Sequence, residues 1–143
     1  MGADDHADPD RAGQLHHVEL SVPPAALGAA LDWWGWLLGV LGHEPKNDWE
    51  GGRSWGRGPT YVVVKAASAE GSVERETPGL DHLAFHAGSR AQVDRVAEGA
   101  RDHDDAELLY PDRHPYAGGY YAAYVEGPVG VTVEVVGPDE GDR

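Results

Sequence analysis

Residues 15–22 read LHHVELSV and residues 80–87 read LDHLAFHA, so the pattern L-x-H-[VL]-x-[LF] occurs twice in a chain of 143 residues. No other feature constrains the fold as strongly. A chain of this length makes one domain, and an internal repeat means that the domain is built from two similar halves, neither able to bury its apolar face alone. The pattern alternates apolar and polar positions, which marks the opening strand of each half.

The elements after each opening strand are repeated as well. In the first half Pro23 and Pro24 open a helix, where the first N–H groups have no intrahelical partner to lose. Leu27, Leu31, Trp34, Leu38 and Leu41 recur at helical steps and bury one face, and Gly42 stops the helix. Three short strands are expected next, near 43–46, 52–56 and 60–65. After a linker of small and charged residues, Ser89 caps a second helix that runs to about Arg101 with Val93 and Val96 facing inward. The segments AELLY, GYYAAYV and VTVEVV then read as strands. The fold class is therefore α+β: two βαβββ modules, 14–66 and 79–137, forming a curved mixed sheet around a cleft. They make one domain at 14–137, between polar, acidic segments at 1–13 and 138–143 that read as disordered tails. Trp33 and Trp36 lie off the main helical stripe and point to a subunit contact, hence a homodimer.

Charge and composition exclude several partners. With 25 Asp and Glu against 11 Lys and Arg, a net charge of -14 repels nucleic acid and anionic membranes. There is no cysteine, so any metal must sit on His, Asp or Glu. No apolar run is long enough to span a membrane and no signal peptide is evident, so the chain reads as cytoplasmic. Scarce lysine and abundant carboxylate suit a halophilic, salt-loaded cytoplasm that screens the self-repulsion.

Strand alternation then selects the side chains that enter the cleft. Val18, Leu20 and Val22 suit the helix side of the first strand, which leaves His17, Glu19 and Ser21 on the other face. By the same logic Leu83 and Phe85 face the helix while His82, Ala84 and His86 face the cleft. In the last strand Val131, Val133 and Val135 pack inward, leaving Thr132, Glu134 and Val136 opposite. Three strands thus each contribute one ionisable group: His17, His82 and Glu134. Two imidazoles and a carboxylate form a ligand set for one divalent ion per chain, whether Fe2+, Mn2+, Ni2+, Co2+ or Zn2+. His86, two positions beyond His82 on the same face, is a candidate general base.

LHHVELSV, LDWWGWLLG, GLDHLAFHA and YVEGPVGVTVEVV together resemble the vicinal oxygen chelate superfamily, which includes glyoxalase I, bleomycin- and fosfomycin-resistance proteins and extradiol dioxygenases. The resemblance implies paired βαβββ modules around a cleft, often completed by dimerisation, in which His17, His82 and Glu134 hold a metal that chelates two neighbouring substrate oxygens. Aligning the halves puts Val63 where glyoxalase I relatives carry a fourth ligand, which disfavours that activity here. Tyr124 matches the place of an acid-base tyrosine in extradiol dioxygenases, although Gly127 stands before Pro128 and His114 sits too far upstream for that family's usual stretch.

Two kinds of function are compatible with these residues. One is a divalent-metal-dependent enzyme, a dioxygenase or a lyase, acting on a small oxygen-chelating or aromatic substrate. The other is a metal-silent protein that sequesters a small molecule, as bleomycin-resistance proteins do. Trp49, Trp55, Tyr61, Tyr116, Tyr120 and Tyr121 would give either an aromatic-lined pocket. The segment PDRHPYAGG reads as a loop over the cleft with His114 as its most reactive member, and His43 and His103 read as surface residues.

Overall fold

The computed structural model describes residues 9–71, 78–128 and 130–139. They fold in the order β1 (His17–Val22), α1 (Leu27–Val40), β2 (Glu44–Trp49), β3 (Gly52–Arg57), β4 (Thr60–Ala66), β5 (Leu83–His86), α2 (Arg90–Asp102), β6 (Glu107–Leu109), β7 (Ala122–Glu126) and β8 (Thr132–Val136). Each half is βαβββ. The strands form two separate four-stranded sheets, β1-β4-β3-β2 and β5-β8-β7-β6, which repeat one topology. The first strand of each half pairs in parallel with the last, and the remaining pairs are antiparallel.

Local chemistry explains most boundaries. Helix α1 ends in a Schellman cap: Gly42 has φ of 90°, its N–H donates to Gly39 at 3.1 Å, and His43 N–H donates to Leu38 at 2.8 Å. Helix α2 begins where the Ser89 hydroxyl accepts from Gln92 N–H at 3.2 Å. The two prolines at the start of α1 lie at a short 3-10 turn, Pro24–Ala26, rather than in the helix itself. A second 3-10 turn, Pro9–Arg11, occupies part of the expected N-terminal tail. Residues 1–8 of that tail, residues 72–77 of the linker, residue 129 and residues 140–143 lie outside the described chain. Strand β7 starts at Ala122 because residues 118–121 belong to the preceding turn, so GYYAAYV is only partly a strand.

One continuous core joins the halves. Helix α1 packs on β3 and β4, α2 packs on β6, β7 and β8, and the two helices touch. Trp33 and Trp36, expected at a subunit contact, belong instead to this junction. Trp33 is 2 % exposed and lies against the Cα of Gly127, with the His103 ring edge-on at 5.2 Å. Trp36 lies against Gly99 of α2. The single-stripe reading failed because α1 buries two faces, one on its own sheet and one on the second half. His43 and His103 are drawn into the same seam: His43 meets Phe85 edge-on at 6.0 Å, and His103 Nδ1 lies 2.7 Å from the carbonyl of Gly99. Among the described residues no helix is long and apolar enough to cross a membrane.

Candidate functional site

The alternation of β5 and β8 brings two of the expected ligands together. Ala84 pairs with Glu134 across the parallel ladder, and Tyr124 of β7 pairs with Glu134 from the other side. His82, just before β5, reaches over to place its Nε2 3.1 Å from Glu134 Oε1. Its Nδ1 lies 2.7 Å from Asp81 Oδ2. The Asp81 carboxylate, opposed by desolvation and helped by Glu134, raises the pKa of His82 above its ordinary value.

Glu134 is 5 % exposed, and its second oxygen, Oε2, is buried without a hydrogen-bond partner among the described residues. Burying a carboxylate is costly unless a cation or several donors meet it. If Nδ1 of His82 carries the proton donated to Asp81, its Nε2 lone pair faces the Glu134 oxygen, and two acceptors at 3.1 Å need a cation or a proton between them. The donor set, one imidazole and one carboxylate with a free oxygen, suits a divalent ion. Asp81 stands where an orienting partner of a ligating histidine belongs.

Tyr124 stands beside this pair, its ring edge-on to His82 at 5.7 Å. Burial first, and then the neighbouring Glu134 carboxylate, push its phenol up to about 12. The hydroxyl therefore keeps its proton at neutral pH and acts as a donor. Two cavities of about 280 Å³ each flank the site. One is lined by Asp81, His82, Tyr110, Arg113, Tyr124 and Thr132. The other is lined by Ala84, Phe85, His86, Tyr120, Glu134 and Val136. His86 is exposed within the second of these, on the same strand face as His82.

His17 sits elsewhere. Its ring stacks on Tyr61 with centroids 4.7 Å apart, its Nδ1 lies 2.9 Å from Nδ1 of His16, and its Nε2 lies 3.4 Å from Glu19 Oε2. Lys65 clamps the other oxygen of Glu19 at 2.7 Å and holds that carboxylate below its ordinary pKa range. The cleft face of the first sheet forms its own cavity of about 390 Å³, with Glu19, Lys46, Trp49, Ser54, Tyr61 and Val63 among its walls. Among the described residues no three His, Cys, Asp or Glu side chains come close enough to hold a metal ion. The expected triad is thus divided within one chain: His82 and Glu134 on the second sheet, His17 on the first.

Val63 faces the first-sheet cavity and has Glu19 as its β1 partner, not Glu134. His114, expected to be reactive, places its Nδ1 3.1 Å from the carbonyl of Ala122 and so ties its loop to β7. Sequence reasoning missed Asp81, although an aspartate directly before a candidate ligand histidine was a readable signal. It read Tyr110 as the end of the AELLY strand, which stops at Leu109, and it placed Arg113 in the PDRHPYAGG loop over the cleft without giving either a part in the site.

The chain is similar to proteins of one group throughout. The sequence model of the Glyoxalase/Bleomycin resistance protein/Dioxygenase superfamily matches residues 14–135. YqjT of Bacillus subtilis (strain 168), an uncharacterized protein, is 40% identical over 129 residues, covering 87% of this chain and 98% of that one. A glyoxalase-like protein from Bacillus halodurans, solved by crystallography, is 39% identical with a TM-score of 0.84, covering 92% of this chain and 100% of the other. The glyoxalase/bleomycin resistance protein from Albidiferax ferrireducens T118 superposes with a TM-score of 0.72 at 17% identity, covering 89% of this chain and 100% of that one, a likeness of fold.

Proposed function

The chain belongs to the Glyoxalase/Bleomycin resistance protein/Dioxygenase superfamily, and from that premise we propose that it is a divalent-metal-dependent enzyme acting on a small substrate with two neighbouring oxygens. The observation that carries the proposal is the His82 and Glu134 pair, with a buried carboxylate oxygen, Oε2, that has no partner among the described residues. Those two residues would hold the ion, with Asp81 fixing the orientation of the His82 ring. A bound divalent ion supplies Lewis-acid polarisation of the chelated oxygens.

The protein's own groups complete the chemistry. Tyr124, protonated at neutral pH, donates a hydrogen bond to substrate oxygen. His86, on the apolar side of Glu134, is the group available to take or return a substrate proton. Tyr120, Phe85 and Val136 give that side apolar walls.

The third ligand comes from a second copy of the chain. His17 is divided from Glu134 within one protomer, so a homodimer in which the His17 face of one subunit covers the His82 and Glu134 face of the other completes the set. The first-sheet cavity then becomes the opposite wall of the site, bringing Trp49, Tyr61 and Lys46 over the substrate.

Complementation tests this reading. His17→Ala and Glu134→Gln are each expected to abolish tight Mn2+ binding. When the two variants are unfolded together and refolded, about half of the dimers are mixed and each mixed dimer holds one intact site, so about a quarter of the sites return. If mixing restores nothing while both variants fold, the site is not shared between subunits. If neither substitution affects Mn2+ binding, the metal reading falls and a metal-silent binding protein takes its place.

A further inference from the structure

We propose that Arg113 makes the His82 cavity selective for substrates carrying an oxyanion head group, a carboxylate in the first instance, set apart from the oxygens that face Glu134. This rests on the reading of His82 and Glu134 as the metal-binding pair. Arg113 lines the same cavity as His82, Asp81, Tyr110 and Tyr124. Its guanidinium carbon lies 4.9 Å from the centroid of the Tyr110 ring. Among the described residues no carboxylate is paired with it.

The side chain is exposed, and the surrounding structure holds the loop that carries it in place. Tyr110 has φ of 53°, a left-handed conformation that a bulky residue adopts only when its neighbours fix it. Its ring meets Tyr124 edge-on at 5.5 Å, and Tyr124 in turn meets His82. The backbone from Tyr110 to Tyr116 is closed by successive turns, with Arg113 N–H donating to Tyr110 at 2.9 Å and Tyr116 N–H donating to Arg113 at 2.9 Å. His114 and Pro115 both bond to Ala122, anchoring the loop to β7. A guanidinium leaning on a ring keeps N–H groups free, and a planar carboxylate can accept two of them together. The tyrosine hydroxyls add donors. Asp81, the one carboxylate in the cavity wall, is already engaged by His82.

The inference gives the cavity a chemical division: vicinal oxygens toward Glu134, a negative head group toward Arg113. In a chain of net charge -14 an anionic substrate would need such a local cation to offset the general repulsion. At about 280 Å³ the cavity admits only a small molecule.

The test uses the full chain stripped of metal, with benzoate, phenylphosphonate and benzamide as probes and amide chemical shifts as the readout. Benzoate is expected to perturb Tyr110, Arg113 and Tyr124 and to bind about tenfold or more tightly than benzamide. Arg113→Gln should erase that difference, and Arg113→Lys should keep part of it. Phenylphosphonate binding more tightly than benzoate, with the same dependence on Arg113, would retain the oxyanion and replace the carboxylate. Equal binding of benzoate and benzamide, perturbations outside the cavity, or no change in folded Arg113→Gln protein would each overturn the proposal. A Mn2+ titration of the same samples reads the metal pair separately, because the anion measurements need no metal.

Discussion

Nε2 of His82 lies 3.1 Å from Oε1 of Glu134 while the other nitrogen of the same ring is committed to Asp81 at 2.7 Å. An imidazole held in this way has one orientation, and in its neutral form with the proton on Nδ1 it turns the Nε2 lone pair toward Glu134, which is what a metal ligand requires. Asp81→Asn is therefore expected to weaken Mn2+ binding by about 10- to 100-fold without unfolding the protein, the range seen for partners that orient ligating histidines. Titration calorimetry on wild type and variant measures it. An unchanged affinity would mean that Asp81 is a solvated neighbour of His82 and does not set its tautomer.

Tyr124 offers a second check through hydrogen bonding. Its phenol, pushed up to about 12 by burial and by Glu134, is a donor across the physiological range. Tyr124→Phe should leave Mn2+ affinity nearly unchanged and lower turnover by about 10²- to 10⁴-fold, the contribution of a positioned proton donor. Equal losses in metal affinity and turnover would make the residue part of the packing around Glu134.

The glycines beneath the tryptophans test how the halves are joined. A Cβ on Gly127 would strike the Trp33 indole and one on Gly99 would strike Trp36. Gly127→Ala and Gly99→Ala are each expected to cost about 1–3 kcal/mol, the usual penalty for overfilling a packed interior. Urea unfolding gives the value. Changes within about 0.5 kcal/mol, typical of surface positions, would return the tryptophans to an outer face.

How much of the molecule was legible in its sequence differs between levels. Both βαβββ units followed from period-two alternation in LHHVELSV and LDHLAFHA and from the leucine spacing of α1, because those patterns record which face of an element is buried. Alternation also put His82 and Glu134 on one face, and the structure brings them together. It could not say where His17 would lie relative to them. That relation is set by how α1 and α2 pack, through Trp33 on Gly127 and Trp36 on Gly99, contacts between distant residues that leave no periodic trace. The same blindness made Trp33 look like surface: a helix that buries two faces has no single stripe. Arg113 was legible only as part of a loop over the cleft, since its position is fixed by turns and a ring contact rather than by a repeating element.

His43 links this seam to pH. Its pKa is lowered from 6.5, by burial and then by the charge of Arg57, and its Nδ1 is buried without a partner among the described residues. A histidine whose folded pKa is depressed binds fewer protons in the fold than in the unfolded chain. Its contribution to stability is thus present above pH 6.5 and is lost as pH falls through the lower, folded value. Because the ring packs edge-on to Phe85 at 6.0 Å, a leucine can replace it without a charge to bury. Urea stability measured from pH 7.5 downward should therefore fall more steeply for wild type than for His43→Leu, the two curves separating below about pH 6.5 as the native chain is forced to protonate a half-buried ring. Parallel curves across that range would place the acid sensitivity of the fold in its carboxylates alone.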